Sequence, residues 1–547
     1  MSSLVEIIAV RKSKHLLLNN GTYPLSSNMR TNLVASLLEI MEDKNNPVPT
    51  TISLEDLQQK IHFCLRGRLS AIRKSGSITF VNLTDETGHI QLVATKHNLP
   101  DYDKLKLLDL GDIVEVVGEP VLTKTGERSL LLSAWKVLTK SHRPPPEKFV
   151  GIADPELKYR KRYLDLMSSE ESRARFLVRS EVLRTIRNFM ESERFHEVET
   201  STLNAIASGA NAKPFITHHN ALDADLRLRI APELYLKRLL VGGFDRVFEI
   251  GRAYRNEGID TRHNPEFTIM ESYEAYGNFP RLLQFTQDLL HTVDALLPAR
   301  LSGPTLQHYK KWKAERTFTL KEFRQVAMHE AVMTACTNAG LSLTIGGCEL
   351  MCGGCVSDEV FSVNVEHPDN QRLLKIDIDD LRHALSEATS PGEQWFLMFE
   401  HVAEPFLTED YRTADGRFSV PVFITRYPKS VCPLARANDF RKNECDRFEL
   451  FIEGRELANA FQELNDPEEQ ATRFREQLET NHKDPMDFDA DYIEALEMGM
   501  PPCIGFGMGL ERLCMLLTNT TSIKDVILFP TLKPIKSEYV RDPISQT

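Results

Sequence analysis

Two hydrophobic patterns divide the chain near residue 145. Between residues 60 and 140, short segments alternate apolar and polar side chains, and turn residues such as Lys74-Ser75-Gly76 separate them. A period of two is typical of a strand with one buried face. About five such segments in this length predict a small closed β-barrel.

After the run Pro144-Pro145-Pro146, which predicts a stiff linker, helical and strand-like periods are mixed. Residues 171–194 place Phe176, Leu183 and Ile186 at helical spacing, with charges between them. Strand-like segments follow without a sustained alternation of strand and helix. This pattern predicts an antiparallel sheet flanked by helices.

The chain is therefore predicted to be an α+β protein. Its N-terminal barrel is expected to be an OB-fold, the commonest small barrel that binds nucleic acid. We expect an N-terminal extension (1–57), the OB-fold (58–142), a linker (143–170), a main domain (171–535) with a divergent insertion at about 303–415, and a tail (536–547).

Charge and hydropathy narrow the possible partners. The formal net charge of −12 over 547 residues argues against a protein that coats nucleic acid by bulk electrostatics, although local basic patches remain possible. No run of about 18 apolar residues is present, so no membrane span is expected. The N-terminal segment fits secretory and transit peptides poorly, which favours the cytoplasm.

Residues 253–273 read as a hairpin, because a polar loop separates two alternating segments. Arg255 lies beside Tyr254 and an apolar stretch, so its guanidinium should be partly buried. A buried arginine needs a partner, and phosphate or carboxylate matches its planar fork. A surface hairpin with solvated charges is the alternative.

A second segment has glycine at every other position, at Gly505, Gly507 and Gly509, and continues to Arg512. Alternating glycines in a strand allow a flat ligand to approach the backbone closely. A helix should begin near Leu510. By itself the segment could equally be a strand rich in turns.

Residues 448–466 predict a second hairpin. A two-residue turn at Glu453-Gly454 pairs Phe451 with Glu456 and brings Glu449 close to Glu456. Two such carboxylates repel, so a divalent metal is a natural counter-charge; two solvated strand charges are the alternative.

Asn459, Phe461 and Glu463 alternate along the same segment and share one strand face. Glu456 has the other parity, so a shared site requires a bulge near Leu457-Ala458. A carboxylate at Glu463 in an enclosed pocket requires a cation.

These segments resemble the motifs of class II aminoacyl-tRNA synthetases. Tyr254–Glu257 with Arg262–Phe267 is similar to motif 2, and Gly505–Arg512 is similar to motif 3. HEVETSTL (196–203) resembles motif 1, although Ser201 stands where the family has a proline. The resemblance implies a catalytic domain of that class and a homodimer.

The resemblance also implies residue roles. Arg255 and Arg512 would be catalytic, because they hold the α-phosphate and cover the adenine. The implied ATP-binding residues are Arg255, Glu257, His263, Asn264, Phe267, Glu449 and Arg512. Mg²⁺ would be held by Glu449 and Glu456, with Glu271 near the metal and the nucleotide.

The segment N-A-F-Q-E-L-N-D is similar to the specificity strand of class II lysyl-tRNA synthetases. The implied lysine-binding residues are Gly209, Glu233, Arg255, Tyr273, Asn459, Phe461 and Glu463. Glu463 and Tyr273 would bind the side-chain ammonium group. Aspartyl and asparaginyl enzymes share the architecture, but Glu463 has the wrong charge for their substrates.

In the barrel, Arg73, Phe80 and Gln91 match positions that read anticodon bases in this family. Stacking on an aromatic ring and reading with an amide are common ways to bind single-stranded RNA. Phe80 could equally be a core residue. Ala134-Trp135 stands where the family often has an acidic residue, so contacts there should differ.

The sequence thus predicts an enzyme that uses ATP to convert L-lysine to lysyl-adenylate and transfers lysine to the 3′ end of lysine tRNA. A synthetase-derived RNA-binding or regulatory module without this activity is the alternative. The spacing of Cys348, Cys352 and Cys355 leaves free thiols, zinc (with Cys336 or His367) and an iron–sulfur cluster open.

Overall fold

The computed structural model describes residues 3–27, 32–42, 62–146, 152, 154–206, 209, 212–344, 362–480 and 488–535. Cys348, Cys352 and Cys355 lie outside these residues, so their prediction stays open. The chain forms two compact units, residues 1–177 with 301–308 and residues 178–300 with 309–547. Within the described ranges, no helix is both long and apolar enough to span a membrane.

The first unit contains the predicted barrel. Two helices precede it, α1 (Leu4–Asn19) and α2 (Val34–Glu42). The barrel strands are β1 (Phe63–Ser75), β2 (Ile78–Thr84), β3 (His89–Thr95), β4 (Ile113–Leu122) and β5 (Arg128–Thr139). They close in the order β1-β2-β3-β5-β4. The alternation in β2 buries Thr79, Val81 and Leu83, as its period of two predicts.

The remaining strands are β6 (His196–Glu197), β7 (Leu203–Asn204), β8 (Ile216–His219), β9 (Ala224–Leu228), β10 (Arg246–Tyr254), β11 (Glu266–Ala275), β12 (Arg324–Ala327), β13 (Leu341–Thr344), β14 (Ser362–Val365), β15 (Val422–Pro428), β16 (Glu444–Ile452), β17 (Arg455–Gln462) and β18 (Cys503–Gly509). Eight of them form the central sheet of the second unit, in the order β12-β15-β16-β17-β18-β11-β10-β6.

The remaining helices are α3 (Pro155–Arg160), α4 (Arg162–Ser168), α5 (Glu170–Ser192), α6 (Glu233–Val241), α7 (Phe279–Arg300), α8 (Gly303–Ala314), α9 (Met328–Ala339), α10 (Ile378–Glu387), α11 (Pro391–Met398), α12 (Leu407–Asp410), α13 (Pro467–Thr480), α14 (Ala490–Glu497) and α15 (Leu510–Leu517). The helices predicted at 171–194 and from Leu510 are confirmed as α5 and α15.

The central sheet is antiparallel across its six inner strands, as predicted. Its two outer pairs are parallel, because β6 lies parallel to β10 and β12 lies parallel to β15. The antiparallel sheet predicted from the sequence is therefore confirmed for the six inner strands, and one parallel strand extends it at each edge. The motif 1 segment (196–203) contributes the two-residue strand β6 and the first residue of β7.

The segment 303–415 is more integrated than a separate insertion would be. Its strand β12 is an edge of the central sheet. Helices α9, α10 and α11 bury Val332, Leu381 and Met398 in one hydrophobic cluster with Val422 and Ile424 of β15. The sequence did not reveal this, because four-residue strands between short helices carry little periodicity.

The predicted hairpin of β16 and β17 is confirmed in its details. Glu453 and Gly454 both have positive φ, 53° and 63°, as a two-residue hairpin turn requires. Phe451 pairs with Glu456, whereas Leu450 pairs with Ala458, so Leu457 is the extra residue of a bulge. The bulge allows Glu456 to face the same site as the alternating residues Asn459, Phe461 and Glu463.

Candidate functional site

Two rows of side chains form the floor of the site, on the three strands β17, β18 and β11. In one row Gly507 lies between Asn459 and Glu271. In the next row Gly505 lies between Phe461 and Tyr273. Residues paired across a sheet share a face, so each glycine leaves an open space between two functional side chains.

Glu463 uses the space at Gly505. Its side chain is fully buried just beyond the end of β17, where its amide donates to the Cys503 carbonyl at 2.9 Å. A methyl group at Gly505 would overlap Glu463 Oε1 and would lie 2.7 Å from Tyr273 Cε1. Glycine at this position is therefore what allows the carboxylate to approach the strand.

Glu463 belongs to a buried acidic group with Glu233 and Glu271, whose side chains are also buried. Burial and the negative charge of the nearby Glu233 raise the pKa of Glu271 to about 8. Tyr273 donates its hydroxyl to Glu271 at 3.1 Å. Such a concentration of buried negative charge requires cations.

One cation is supplied by the chain itself, and the sequence reasoning missed it. Lys237 is fully buried on α6, 2.6 Å from Glu233 and ion-paired with Glu463. Its pKa is well above its usual value, because these carboxylates outweigh the effect of burial. The available signal was its spacing of four residues from Glu233, which aligns both side chains on one helix face.

Gly209 lies beside this group, as the sequence predicted. Its φ of 92° is in the left-handed region. A methyl group at Gly209 would lie 3.3 Å from Glu233 Cβ, so the backbone passes close to that carboxylate.

Arg255 follows β10 and is partly buried, as predicted. Its guanidinium lies over the ring of Phe267, 5.2 Å from the centroid. Its buried Nε has no hydrogen-bond partner among the described residues. An arginine in this state has donors available for an anion.

The loop between β10 and β11 carries three other predicted ATP contacts, Glu257, His263 and Asn264. His263 contacts Asp260 at 2.8 Å, and this hydrogen bond lowers the pKa of Asp260 to about 2. Asn264 is buried and donates to the Glu266 carbonyl at 2.6 Å. Glu257 is exposed in the loop.

Arg512 reaches this loop from α15. Its Nη2 lies 3.4 Å from His263 Nε2, and its Nη1 lies 3.1 Å from Glu456 Oε2. The neighbouring Glu511 accepts from the Thr268 amide at 2.9 Å and from Arg179 at 2.8 Å. These bonds attach the start of α15 to β11, and so position Arg512.

Glu449, on β16, accepts from the Tyr427 hydroxyl at 2.8 Å and from Arg447 at 2.5 Å. Burial and the negative charge of Glu456 raise the pKa of Glu449 to about 7, so the two carboxylates are close enough to interact. Each carboxylate is paired with an arginine. Among the described residues, no group of three or more acidic, histidine or cysteine side chains forms a metal cage.

Arg447 is a second residue that the sequence reasoning missed. Besides Glu449, its guanidinium contacts Asn459 Oδ1 at 3.1 Å and Cys432 Sγ at 3.1 Å, and it stacks on Tyr427. It thus connects a predicted metal ligand to a predicted lysine contact. The sequence signal for Arg447 was its spacing of two residues from Glu449, which places both side chains on the same face of β16.

The barrel residues lie in the first unit. Arg73 and Phe80 are paired across β1 and β2. Arg73 is exposed, whereas Phe80 is partly buried against Val93, Val121 and Leu131. Gln91 is buried and donates to Ser129 Oγ at 3.0 Å. Phe80 therefore has a core contact as well as a partly accessible ring.

Two family models match the chain. One, described as tRNA synthetases class II (D, K and N), matches residues 154–533. The other, described as an OB-fold nucleic acid binding domain, matches residues 63–138.

Curated relatives match over nearly the whole chain. A lysine–tRNA ligase of Legionella pneumophila (strain Corby) is 40% identical over 96% of this chain and 98% of its own length. One from Yersinia pestis (strain Pestoides F) is 41% identical over 97% of each chain. One from Thioalkalivibrio sulfidiphilus is 43% identical over 87% of this chain and 88% of its own.

Proposed function

Because the chain belongs to the class II tRNA synthetases (D, K and N), within the lysine–tRNA ligases, we propose that it activates L-lysine with ATP and transfers it to lysine tRNA. The observation that carries the choice of amino acid is Glu463, a fully buried carboxylate. Its Oε1 has no hydrogen-bond partner within the described part of the chain.

A lysine side chain fits this carboxylate. Its ammonium would pair with Glu463 Oε1 beside Tyr273, and its methylene groups would lie along Phe461. A neutral analogue would leave the carboxylate unpaired, which is the strongest way for a site to reject a close analogue. Aspartate and asparagine offer no side-chain cation.

The other end of the substrate would face the predicted motif residues. Gly209 and Glu233 would receive the α-ammonium group, and Asn459 the carboxylate. In the reaction a carboxylate oxygen bonds to the α-phosphorus of ATP, and the bond from that phosphorus to the bridging oxygen of pyrophosphate breaks. Arg255 and Arg512 would stabilise the charge on the phosphates.

For ATP, we propose that adenine stacks on Phe267 and is covered by Arg512. His263, Asn264 and Glu257 would contact the nucleotide along the hairpin loop. In the structure Arg255 covers Phe267 and Arg512 pairs with Glu456. Both arginines would therefore change partners when ATP binds.

Mg²⁺ is a further part of the proposal. Carboxylate oxygens are suitable ligands, and Glu449 and Glu456 are close enough for each to affect the other's charge. When bound there, the ion would neutralise phosphate charge and that of the departing pyrophosphate. Arg447 and Tyr427 would hold Glu449 in orientation through the hydrogen bonds described above.

In the barrel, Arg73, Phe80 and Gln91 are proposed to bind the anticodon. A two-fold homodimer and a cytoplasmic location complete the proposal. Ser201 donates to the Leu203 carbonyl at 2.8 Å where the family's motif 1 has proline, so this part of a dimer contact would differ. Nothing in the comparisons favours an inactive RNA-binding module.

The test is exchange of labelled pyrophosphate into ATP by the full chain, without tRNA, with lysine, aspartate or asparagine. We expect exchange with lysine alone, and loss of exchange when EDTA removes the divalent metal. Aminoacylation of lysine tRNA should follow. Absence of lysine-dependent exchange by correctly folded protein would refute the proposed function.

A further inference from the structure

Lys237 is positioned inside the amino-acid pocket. Its Nζ contacts Glu233 Oε1 and Glu463 Oε2, and it lies 5.6 Å from the ring centroid of Phe461 and 6.0 Å from that of Tyr273. All four partners are residues proposed to bind lysine. The internal ammonium thus has the same kinds of neighbours as the ammonium of the substrate would have.

The acidic group around Lys237 carries more negative charge than its single ammonium balances. Glu233, Glu271 and Glu463 are all buried there. The pKa of Glu271 is about 8, so its carboxyl is largely protonated near pH 7 and ionises when further positive charge arrives. With all three carboxylates ionised, two more positive charges would balance the group. Lysine brings two, its α-ammonium and its ε-ammonium, whereas a monoamino acid with a neutral side chain brings one. The carboxylate of the substrate would face Arg255 and Asn459.

The two carboxylate oxygens of Glu463 have different neighbours, and Lys237 contacts one of them. Oε2 faces Lys237, and Oε1 faces Gly505 and Tyr273. Burial raises the pKa of Glu463 well above its ordinary value, and Lys237 acts in the opposite direction. A protonated Glu463 would lose its preference for a cation, so the resident positive charge favours the ionised form that selects lysine.

We propose that Lys237 is a specificity-determining positioning residue, a resident ammonium that fixes Glu233 and Glu463 and leaves one Glu463 oxygen for the side chain of a diamino acid. The inference rests on the proposed lysine pocket. Lys237 acts through the two carboxylates and takes no part in bond making.

The first experiment compares pyrophosphate exchange by the wild type, Lys237→Met and Lys237→Gln. Both variants remove the positive charge that faces Glu233 and Glu463, and charge-assisted hydrogen bonds are stronger than neutral ones. Both should therefore raise the KM for lysine at least about tenfold, while kcat and the KM for ATP change less than about threefold. Selectivity for lysine over norleucine, its neutral analogue, should fall. Lys310→Met, an exposed lysine on α8, is the matched control.

The second experiment uses Lys237→Ala, which leaves a cavity where the ammonium was. Propylammonium should fill this cavity and raise the rate of lysine-dependent exchange by the variant at least about tenfold. In the wild type the same ion should only inhibit, by competing with lysine. Lys237→Met leaves less space and should not be rescued.

The outcomes separate the possible failures. A wild type without lysine-dependent exchange refutes the proposed function itself. An active wild type whose Lys237→Met and Lys237→Gln variants keep the wild-type KM for lysine refutes only this inference. The inference is equally refuted if the temperature of unfolding and kcat fall and both KM values rise together without rescue, since Lys237 would then be structural. If Lys237→Met and Lys237→Ala fail to fold, the KM for lysine of Lys237→Gln tests the inference, because glutamine still donates hydrogen bonds and preserves the fold better.

Discussion

At the scale of single residues, the site is organised by burial of charge. Glu463 and Lys237 are both fully buried and lie in contact, and Glu271 is buried next to them. In water none of these groups would discriminate between amino acids. Inside the protein an unpaired carboxylate is costly, so charge complementarity becomes a strong selection.

Glu463→Gln should weaken lysine activation specifically. An amide keeps the shape but removes the negative charge, so kcat/KM for lysine in pyrophosphate exchange should fall at least about tenfold. The KM for ATP should change little. Glu468→Gln, on the exposed side of α13, is a matched control. Equal activity of the two variants would contradict the role of Glu463.

Lysine binding should release a proton. The pKa of Glu271 is about 8, so its carboxyl is largely protonated at pH 7, whereas the ammonium group of a bound lysine would favour the ionised form. The affinity for lysine should therefore increase as the pH rises from about 6 to 8. Calorimetry in buffers of different ionisation enthalpy measures the released proton. Glu271→Gln should abolish the release, and a wild type without release would contradict it.

The same group gives a stability prediction. A folded-state pKa above the ordinary value means that the folded protein holds a proton that the unfolded chain has released. Between about pH 5 and pH 8, the contribution of Glu271 to the free energy of unfolding should therefore fall as the pH rises. Chemical denaturation of the wild type and Glu271→Gln over this range measures it. Parallel curves would contradict the prediction.

At the scale of elements, the hairpin of β16 and β17 and the glycine-rich β18 could be predicted from the sequence. The turn at Glu453-Gly454 follows from local backbone preferences. The bulge near Leu457 was expected because Glu456 and Glu463 differ in strand parity, and a shared site requires both side chains on one face. The parallel partners of β10 and β15 could not be predicted, because neighbours in a sheet depend on distant chain segments.

Gly505→Ala should damage the lysine pocket more than Gly507→Ala. The methyl group at Gly505 would overlap Glu463 Oε1, whereas the one at Gly507 would lie 3.7 Å from Glu271 Cγ, an ordinary contact distance. Forcing atoms into packed space costs about 1–3 kcal/mol. The KM for lysine should rise about 5- to 150-fold in Gly505→Ala and less in Gly507→Ala. Equal KM values in the two variants would contradict this reading of β18.

At the scale of the whole molecule, two compact units divide the work proposed for the enzyme. The barrel has its own hydrophobic core, which includes Leu65, Leu83 and Leu132, and the catalytic sheet has separate clusters. A barrel substitution should therefore affect tRNA charging without changing amino-acid activation.

Phe80→Leu tests this division. Stacking of a base on an aromatic ring contributes about 1–3 kcal/mol, so the KM for lysine tRNA in aminoacylation should rise about 5- to 150-fold. Exchange without tRNA should be unchanged. Phe80→Tyr keeps the ring and should behave like the wild type. If Phe80 is only a core residue, Phe80→Leu will lower the temperature of unfolding without a selective effect on tRNA.

The sequence by itself determined the two-part architecture, the hairpins and the identity of Arg255, Glu449, Glu463 and Arg512 as candidates. The architecture and the hairpins depend on local periodicity and turn preferences, which are encoded in short segments. The candidate residues depend on residue chemistry and on the resemblance of these segments to the motifs of class II synthetases. Only the tertiary structure decided that Lys237 lies within the proposed lysine pocket. Its sequence context is that of an ordinary helical Glu–Lys pair, and its burial beside Glu463, more than 200 residues away, is a property of packing.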